Sequence, residues 1–267
     1  MEDLKVTIIQ FDIVWEDKQA NFDQLESQFL AKLGEGDTDL IVLPEMFATG
    51  FTMKPADYFE NRNGLTFKWL EKWASKLKCS IAAGLITKSS ESQYQNTFIL
   101  VRPTGTIETY HKRHLFRMGE ENKHYVGGIH PKIIELKGWK INLQICYDLR
   151  FPAFARNKMQ GGKPSYDAMI YIANWPEVRT YAWSNLLQAR AIENQAYIIG
   201  VNRVGGDGNG ISHSGESAII GPAGLPIIKP IMNSELMVTA SMSFEHLKKA
   251  RTVFPVLLDA DRLNITD

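Results

Sequence analysis

The sequence predicts one mixed α/β domain in which helices cover the sheets. Three observations predict it. Early strand-like runs alternate with helix-like ones. Asp39 to Leu43, DLIVL, is a short continuous apolar run, as in strands buried on both faces. Later strand-like runs arrive in pairs joined by turns, an antiparallel habit. No repeat, low-complexity tract or linker divides the 267 residues, so residues 1–267 are expected to be a single domain.

The elements follow in order. Lys5 to Gln10 reads as a strand. Asp17 to Leu33 reads as a helix with Phe22, Leu25, Phe29 and Leu33 on one face, stopped by Gly34 and Gly36. The strand DLIVL closes at Pro44 and Glu45. Leu65 to Leu77 places Trp69, Leu70, Trp73, Ala74 and Leu77 on a helical core stripe. Ser80 to Thr87, Tyr94 to Val101 and Thr106 to Tyr110 are strands, the last two joined through Pro103-Thr104-Gly105. His111 to Gly128 has no period, and long irregular stretches in a domain are usually functional or mobile. Lys132 to Leu136 and Ile141 to Ile145 form a hairpin around Lys137-Gly138. Asp167 to Ala173 is a strand ending in Asn174-Trp175-Pro176. Tyr181 to Gln195 is a helix, Tyr197 to Asn202 a strand, and Gly205 to Gly210 a loop. Strands then run to about Met242, with turns at 221–224 and 233–234. The tail has a short helical piece followed by FPVLLDADRL.

Composition narrows the function. Hydrophobic residues make up 44% and charged residues 22%, which is ordinary for a globular chain with ample core. Lys plus Arg and Asp plus Glu both number 30, so nothing suggests nucleic acid, an anionic membrane or a polybasic tail. MEDLKVTIIQFD reads as a strand and not as a signal peptide, and no apolar run spans a bilayer. Two cysteines, Cys79 and Cys146, make no disulfide framework, so a reducing cytoplasm is expected. Asn264-Ile265-Thr266 fits a glycosylation sequon, which without an export signal reads as coincidence.

Three polar groups stand where strands end. Cys146 follows the alternating run Ile141 to Ile145, at a strand-to-helix turn whose amide donors favour a thiolate. Glu45 follows DLIVLP, and Lys112 follows Thr106 to Tyr110. Ligands of open α/β sheets bind at such carboxyl ends. Taken singly, each has a plainer reading: a small buried hydrophobe for Cys146, a helix cap or surface charge for Glu45, a solvated strand end for Lys112. An acid, a base and a thiol recurring at one kind of place point to a shared site.

LPEMFATGF around Glu45, YHKRHLF around Lys112 and ICYDLRFP around Cys146, in that order, resemble the nitrilase, or carbon–nitrogen hydrolase, superfamily. NWP at 174–176, ARAIENQAYIIGVNRVG from Ala189 and SGESAIIGPAG near Ser214 extend the resemblance over nearly the whole chain. KRHLFRMGEENKHYVGG is most similar to the omega-amidase branch, which deamidates short α-keto acid amides such as 2-oxoglutaramate and 2-oxosuccinamate. The resemblance implies a four-layer α-β-β-α sandwich of two mixed sheets. It implies Cys146 as nucleophile, Glu45 as general base and acid, and Lys112 with the Tyr147 N–H as oxyanion donors. Glu120 matches a second glutamate of the family, with Glu121 its neighbour. No cofactor or metal is implied. A homodimer or higher homo-oligomer is implied, with Arg156 to Met159 and Tyr181 to Ala191 supplying apolar interface.

A substrate carboxylate needs a cation, ideally a bidentate arginine. Arg150 and Arg117 are the candidates by position. The alternative for Arg150 is that it pairs with Asp148 or another acid and only braces the turn. Phe47, Phe116, Tyr125 and Trp175 either wall a pocket or belong to the core. Other signals fail. His111 and His114 lack further zinc ligands. The glycines at 206, 208 and 210 fit neither GxGxxG nor a calcium loop. Ser214 and Ser217 lack a nucleophile elbow. Cys79 lies in an alternating strand and reads as inert. Rival functions are a relative acting on a carbamoyl amine, a deaminated peptide or a nitrile, a catalytically silent binding protein, and a thiol peptidase.

Overall fold

The computed structural model describes residues 1–261. The strands are β1 (Leu4–Gln10), β2 (Leu40–Val42), β3 (Ser80–Lys88), β4 (Tyr94–Val101), β5 (Ile107–His111), β6 (Lys132–Leu136), β7 (Trp139–Ile145), β8 (Met159–Gln160), β9 (Lys163–Pro164), β10 (Ala168–Ile172), β11 (Tyr197–Val201), β12 (Val204–Gly206), β13 (Ser212–Ser214), β14 (Ala218–Ile220), β15 (Pro226–Ile228) and β16 (Leu236–Met242). One six-stranded sheet runs β16-β1-β2-β3-β4-β5 and the other β15-β14-β11-β10-β7-β6. Each has a parallel centre, β1-β2-β3 and β7-β10-β11, and antiparallel edges. The short pairs β8-β9 and β12-β13 stand outside them.

Side-chain alternation makes the layers. Val6, Ile8, Leu40, Val42, Phe98 and Leu100 of the first sheet share one buried cluster with Ile141, Leu143, Ile145, Ile170 and Ile172 of the second. Their neighbours Ile9, Ile41, Ile81, Ile99 and Val101 point the other way. There they meet Phe22 and Leu25 of helix Lys18–Gln28 and Trp69, Leu70, Trp73 and Leu77 of helix Leu65–Leu77. Trp183, Leu187 and Ala191 of helix Thr180–Asn194 cover the second sheet. The expected four-layer sandwich of two mixed sheets results, because strands with both faces apolar need cover on both sides.

Most expected elements stand within a residue or two of their places. Lys137 and Gly138 both have positive φ, 50° and 84°, which suits the two-residue turn between β6 and β7. The helix from Asp17 stops early, at Gln28. Phe29 leaves helical backbone, its ring packs edge-on against Phe11, and a 3-10 turn, Leu30–Lys32, carries the chain on. Of the stretch read as a loop, Gly205 and Gly206 belong to β12 and pair with β13, and residues 207–211 form the tip of that hairpin. Arg156 to Met159 and Tyr181 to Ala191, expected to supply an apolar interface, are partly buried within the chain. Trp183, Leu187 and Ala191 are buried within the chain, and Tyr181 is the large apolar residue of that run that stays exposed. The Asn264 sequon and the last residues of the tail lie outside the described residues. Among the described residues no helix is long and apolar enough to cross a membrane.

Candidate active site

The carboxyl ends of β2, β5, β7 and β10 meet at one edge of the paired sheets, and each delivers a polar residue there. Beyond β2 the chain runs on beside β3. Leu43 N–H donates to Ala82 O at 2.8 Å, Gly84 N–H to Pro44 O at 3.2 Å and Phe47 N–H to Gly84 O at 3.2 Å. A Cβ on Gly84 would come within 2.7 Å of Glu45 Cα, so glycine lets β3 approach this closely. Lys112 leaves β5 with its N–H donating to Asn96 O at 2.9 Å and its carbonyl accepting from Gly128 N–H at 2.8 Å.

Lys112 is fully buried between two carboxylates. Its Nζ lies 2.9 Å from Glu45 Oε1 and 3.0 Å from Glu121 Oε2. Asn96 Nδ2 bridges the same two acids, 2.7 Å from Glu45 Oε1 and 2.8 Å from Glu121 Oε1. Phe116 N–H donates to Glu121 Oε2 at 2.6 Å. Asn174, just past β10, donates its N–H to Glu45 Oε2 at 2.8 Å and its amide to the Glu45 carbonyl. A buried charge survives only when paired and hydrogen-bonded, and here both acids and the ammonium meet that condition.

Cys146 sits at the head of the 3-10 turn Cys146–Arg150 with a left-handed backbone, φ 43°. Left-handed φ is uncommon for a side chain that is not Gly, Asn or Asp. Asp148 holds the turn. Its Oδ2 accepts Ile145 N–H at 3.0 Å and Tyr110 O–H at 2.8 Å, and its Oδ1 accepts His114 N–H at 3.0 Å. One carboxylate thus ties the segment after Lys112 to the cysteine turn. Sγ lies 3.9 Å from Asn174 O.

The charge balance corrects one expectation. Burial, first, and the neighbouring Glu45 charge push the Cys146 thiol well above its ordinary value, against the pull of Lys112. These surroundings disfavour the thiolate that turn amides were expected to favour. Burial also opposes charge on Lys112, but Glu121 and Glu45 outweigh it and hold the ammonium above its ordinary range. Burial raises Glu121, with Lys112 opposing.

Glu45, Lys112 and Cys146 are brought together, and Tyr147, Arg150, Phe116 and Trp175 line a cavity of about 100 Å³ over the cysteine. Four expected positions, Glu120, Phe47, Arg117 and Tyr125, are not. The acid meeting Lys112 is Glu121; Glu120 is exposed and pairs with Lys123. Phe47 is buried away from the cavity, its ring 6.2 Å from Phe22 and 5.7 Å from Trp69. Arg117 is exposed on the turn Arg117–Gly119 and does not line the cavity. Tyr125 is buried, donating to Thr52 O at 2.6 Å. Arg150 does not brace the turn through Asp148, whose oxygens are taken by Ile145, Tyr110 and His114; its guanidinium lies 5.0 Å from the Trp175 ring centroid. Sequence reasoning missed Asn96, Asp148, Phe51, Arg179 and the hairpin residues Asp207 to His213. Asn174 carried a usable signal, since it follows a strand end as Glu45 and Cys146 do.

A buried thiol, an acid and an ammonium gathered at the edge of an α-β-β-α sandwich define a carbon–nitrogen hydrolase. The chain belongs to that family: residues 5–252 match the family described as Carbon-nitrogen hydrolase. It is 41% identical over 265 residues to omega-amidase YafV of Escherichia coli strain K12, covering 99% of this chain and all of that one. It is 30% identical to 2-oxoglutaramate amidase of Bacillus subtilis, covering 95% of this chain and 96% of the relative. A CN-hydrolase superfamily protein of Xanthomonas campestris, solved with an arsenic adduct in its active site, superposes with a TM-score of 0.96 at 38% identity, each chain covered in full.

Proposed function

We propose that this enzyme hydrolyses the terminal carboxamide of short α-keto acid amides, 2-oxoglutaramate and 2-oxosuccinamate, to the dicarboxylate and ammonia. The carrying observation is the buried Glu45–Lys112–Glu121 cluster beside Cys146, which itself lines a small cavity whose wall bears guanidinium groups. The relatives named omega-amidase and 2-oxoglutaramate amidase support the substrate class.

The geometry performs the chemistry in two halves. Glu45 takes the Cys146 proton as sulfur bonds to the amide carbon. Lys112 Nζ and the Tyr147 N–H receive the oxyanion, donors that need no reorganisation because the fold holds them. Glu45 returns the proton to the amide nitrogen, the C–N bond breaks, and ammonia leaves a thioester. Water then loses a proton to Glu45 and attacks the thioester. The collapsing intermediate expels sulfur, which recovers the proton from Glu45. The sum is one amide and one water giving one carboxylic acid and one ammonia. Glu121 and Asn96 keep Lys112 charged and aimed. Arg150 binds the substrate carboxylate.

Ammonia release tests this. The kcat/KM for 2-oxoglutaramate should exceed that for butyramide, an N-carbamoyl amine and a nitrile by at least about tenfold, the worth of one charge-assisted contact. Faster release from an uncharged amide or a nitrile would overturn the substrate assignment. The working form is proposed to be a homodimer in the cytoplasm, where reducing conditions keep Cys146 free.

A further inference from the structure

The cavity wall carries two guanidinium groups, and the mechanism above uses one. Arg150 follows the cysteine turn and lies over Trp175. Arg179 closes the 3-10 turn Glu177–Arg179, with its guanidinium 5.7 Å from the Phe116 ring centroid. Its Nη2 donates to Met118 Sδ at 2.9 Å, and a thioether is a weak acceptor. Trp175 links the pair, because its Nε1–H donates to Arg179 O at 2.9 Å. Both arginines line the cavity that holds Cys146.

Among the described residues neither cation is paired with an acid. Arg62, Arg102, Arg156, Arg190, Arg203 and Arg251, by contrast, each meet a carboxylate. Asp207, also on the cavity wall, spends Oδ1 on its own loop, accepting Asn209 N–H at 2.8 Å and Ile211 N–H at 2.9 Å. The backbone at Arg179 is anchored from behind. Buried Glu216 accepts from the hydroxyl of Thr180, from Ser184 Oγ at 2.6 Å and, through its carbonyl, from Trp183 Nε1 at 2.9 Å. The structure therefore fixes where Arg179 starts and spends its donor fork only on a weak thioether acceptor, which an incoming anion can displace.

We propose that Arg179 is a specificity-determining residue that binds, with Arg150, the carboxylate end of the substrate. An α-keto carboxylate offers three acceptor oxygens in one plane, more than a single guanidinium fork satisfies. This deepens the amidase reading and rests on it for the reaction, though not for the binding.

The test is protection of Cys146 from alkylation by iodoacetamide, with 2-oxoglutarate as the protecting ligand. Each half-protecting concentration is referred to the unprotected rate of the same variant, so a loosened fold does not imitate lost binding. Arg179→Met should raise the half-protecting concentration roughly 10- to 100-fold, the range for a lost hydrogen bond to a charged group. Arg179→Lys keeps a cation without the fork and should fall between Met and the parent. Protection at the parent concentration in both variants would overturn the proposal. If the parent fails to hydrolyse 2-oxoglutaramate yet is protected in an Arg179-dependent way, the amidase reading falls and this assignment stands. Hydrolysis with protection indifferent to Arg179 has the reverse meaning.

Discussion

Glu120 has a left-handed backbone, φ 59°, at the junction between the turn Arg117–Gly119 and the helical turn Glu121–His124. That rotation leaves Glu120 in solvent beside Lys123 and puts Glu121 in the site with Lys112. Pattern alone does not separate adjacent glutamates in a stretch with no period, since the separation depends on one dihedral. The two make opposite predictions. Glu121→Gln removes a counter-charge from a buried ammonium and should cut kcat/KM about 100-fold or more. Glu120→Gln loses only an exposed ion pair and should stay within about twofold of the parent. Steady-state ammonia release measures both, and equal losses would contradict the assignment. Cys146, Glu45 and Lys112 were legible because each follows a strand-like run whose end shows in the sequence. Arg179 was not, because it reaches the cavity only through the packing of a turn far along the chain.

At the scale of elements, the β12–β13 hairpin has the most to say. Its glycines looked like a plain loop. Yet Asp207, Asn209, Ile211 and His213 wall the cavity, because Arg203 grips the hairpin base, with Nη2 2.7 Å from Asp12 Oδ1 and 3.0 Å from Gly206 O. No local pattern reveals an anchor that lies nearly the whole chain away. His213 is buried in this hairpin, and burial, helped by the positive charge of Arg203, pulls its pKa down to about 4. The unfolded chain takes up that proton near the ordinary value of about 6.5. Between those two values the unfolded state binds more protons, so stability is whole above about pH 6.5 and falls as pH drops towards about 4. Thermal melts across that window should show a smaller decline for His213→Gln than for the parent. Superimposable pH profiles would contradict a buried neutral histidine.

For the whole molecule, strands with apolar residues on both faces were predictable from runs such as Leu40–Val42, and so was the helical cover, while the pairing into two packed sheets was implied by the family resemblance. The contact surface between copies was less legible. Helical spacing marks Trp183, Leu187 and Ala191 as one face but does not say that the sheet of the same chain takes it. What remains outside is Tyr181, with Val178 and Ile192, exposed 82%, 85% and 55%. Of the run expected to supply an interface, Tyr181 is therefore the residue we propose for a dimer contact. Light scattering on the purified protein should give the mass of two chains, and Tyr181→Asp should shift it towards one; a parent monomer would contradict the assembly.

The account depends on a covalent bond forming at one sulfur. Mass mapping of enzyme quenched in acid during turnover of 2-oxoglutaramate tests that most directly. The peptide containing Cys146 is predicted to carry the acyl portion of the substrate, an adduct absent from Cys146→Ala, which should also release no ammonia. Steady turnover with that peptide at its unmodified mass, or an adduct mapped to Cys79, would contradict the account.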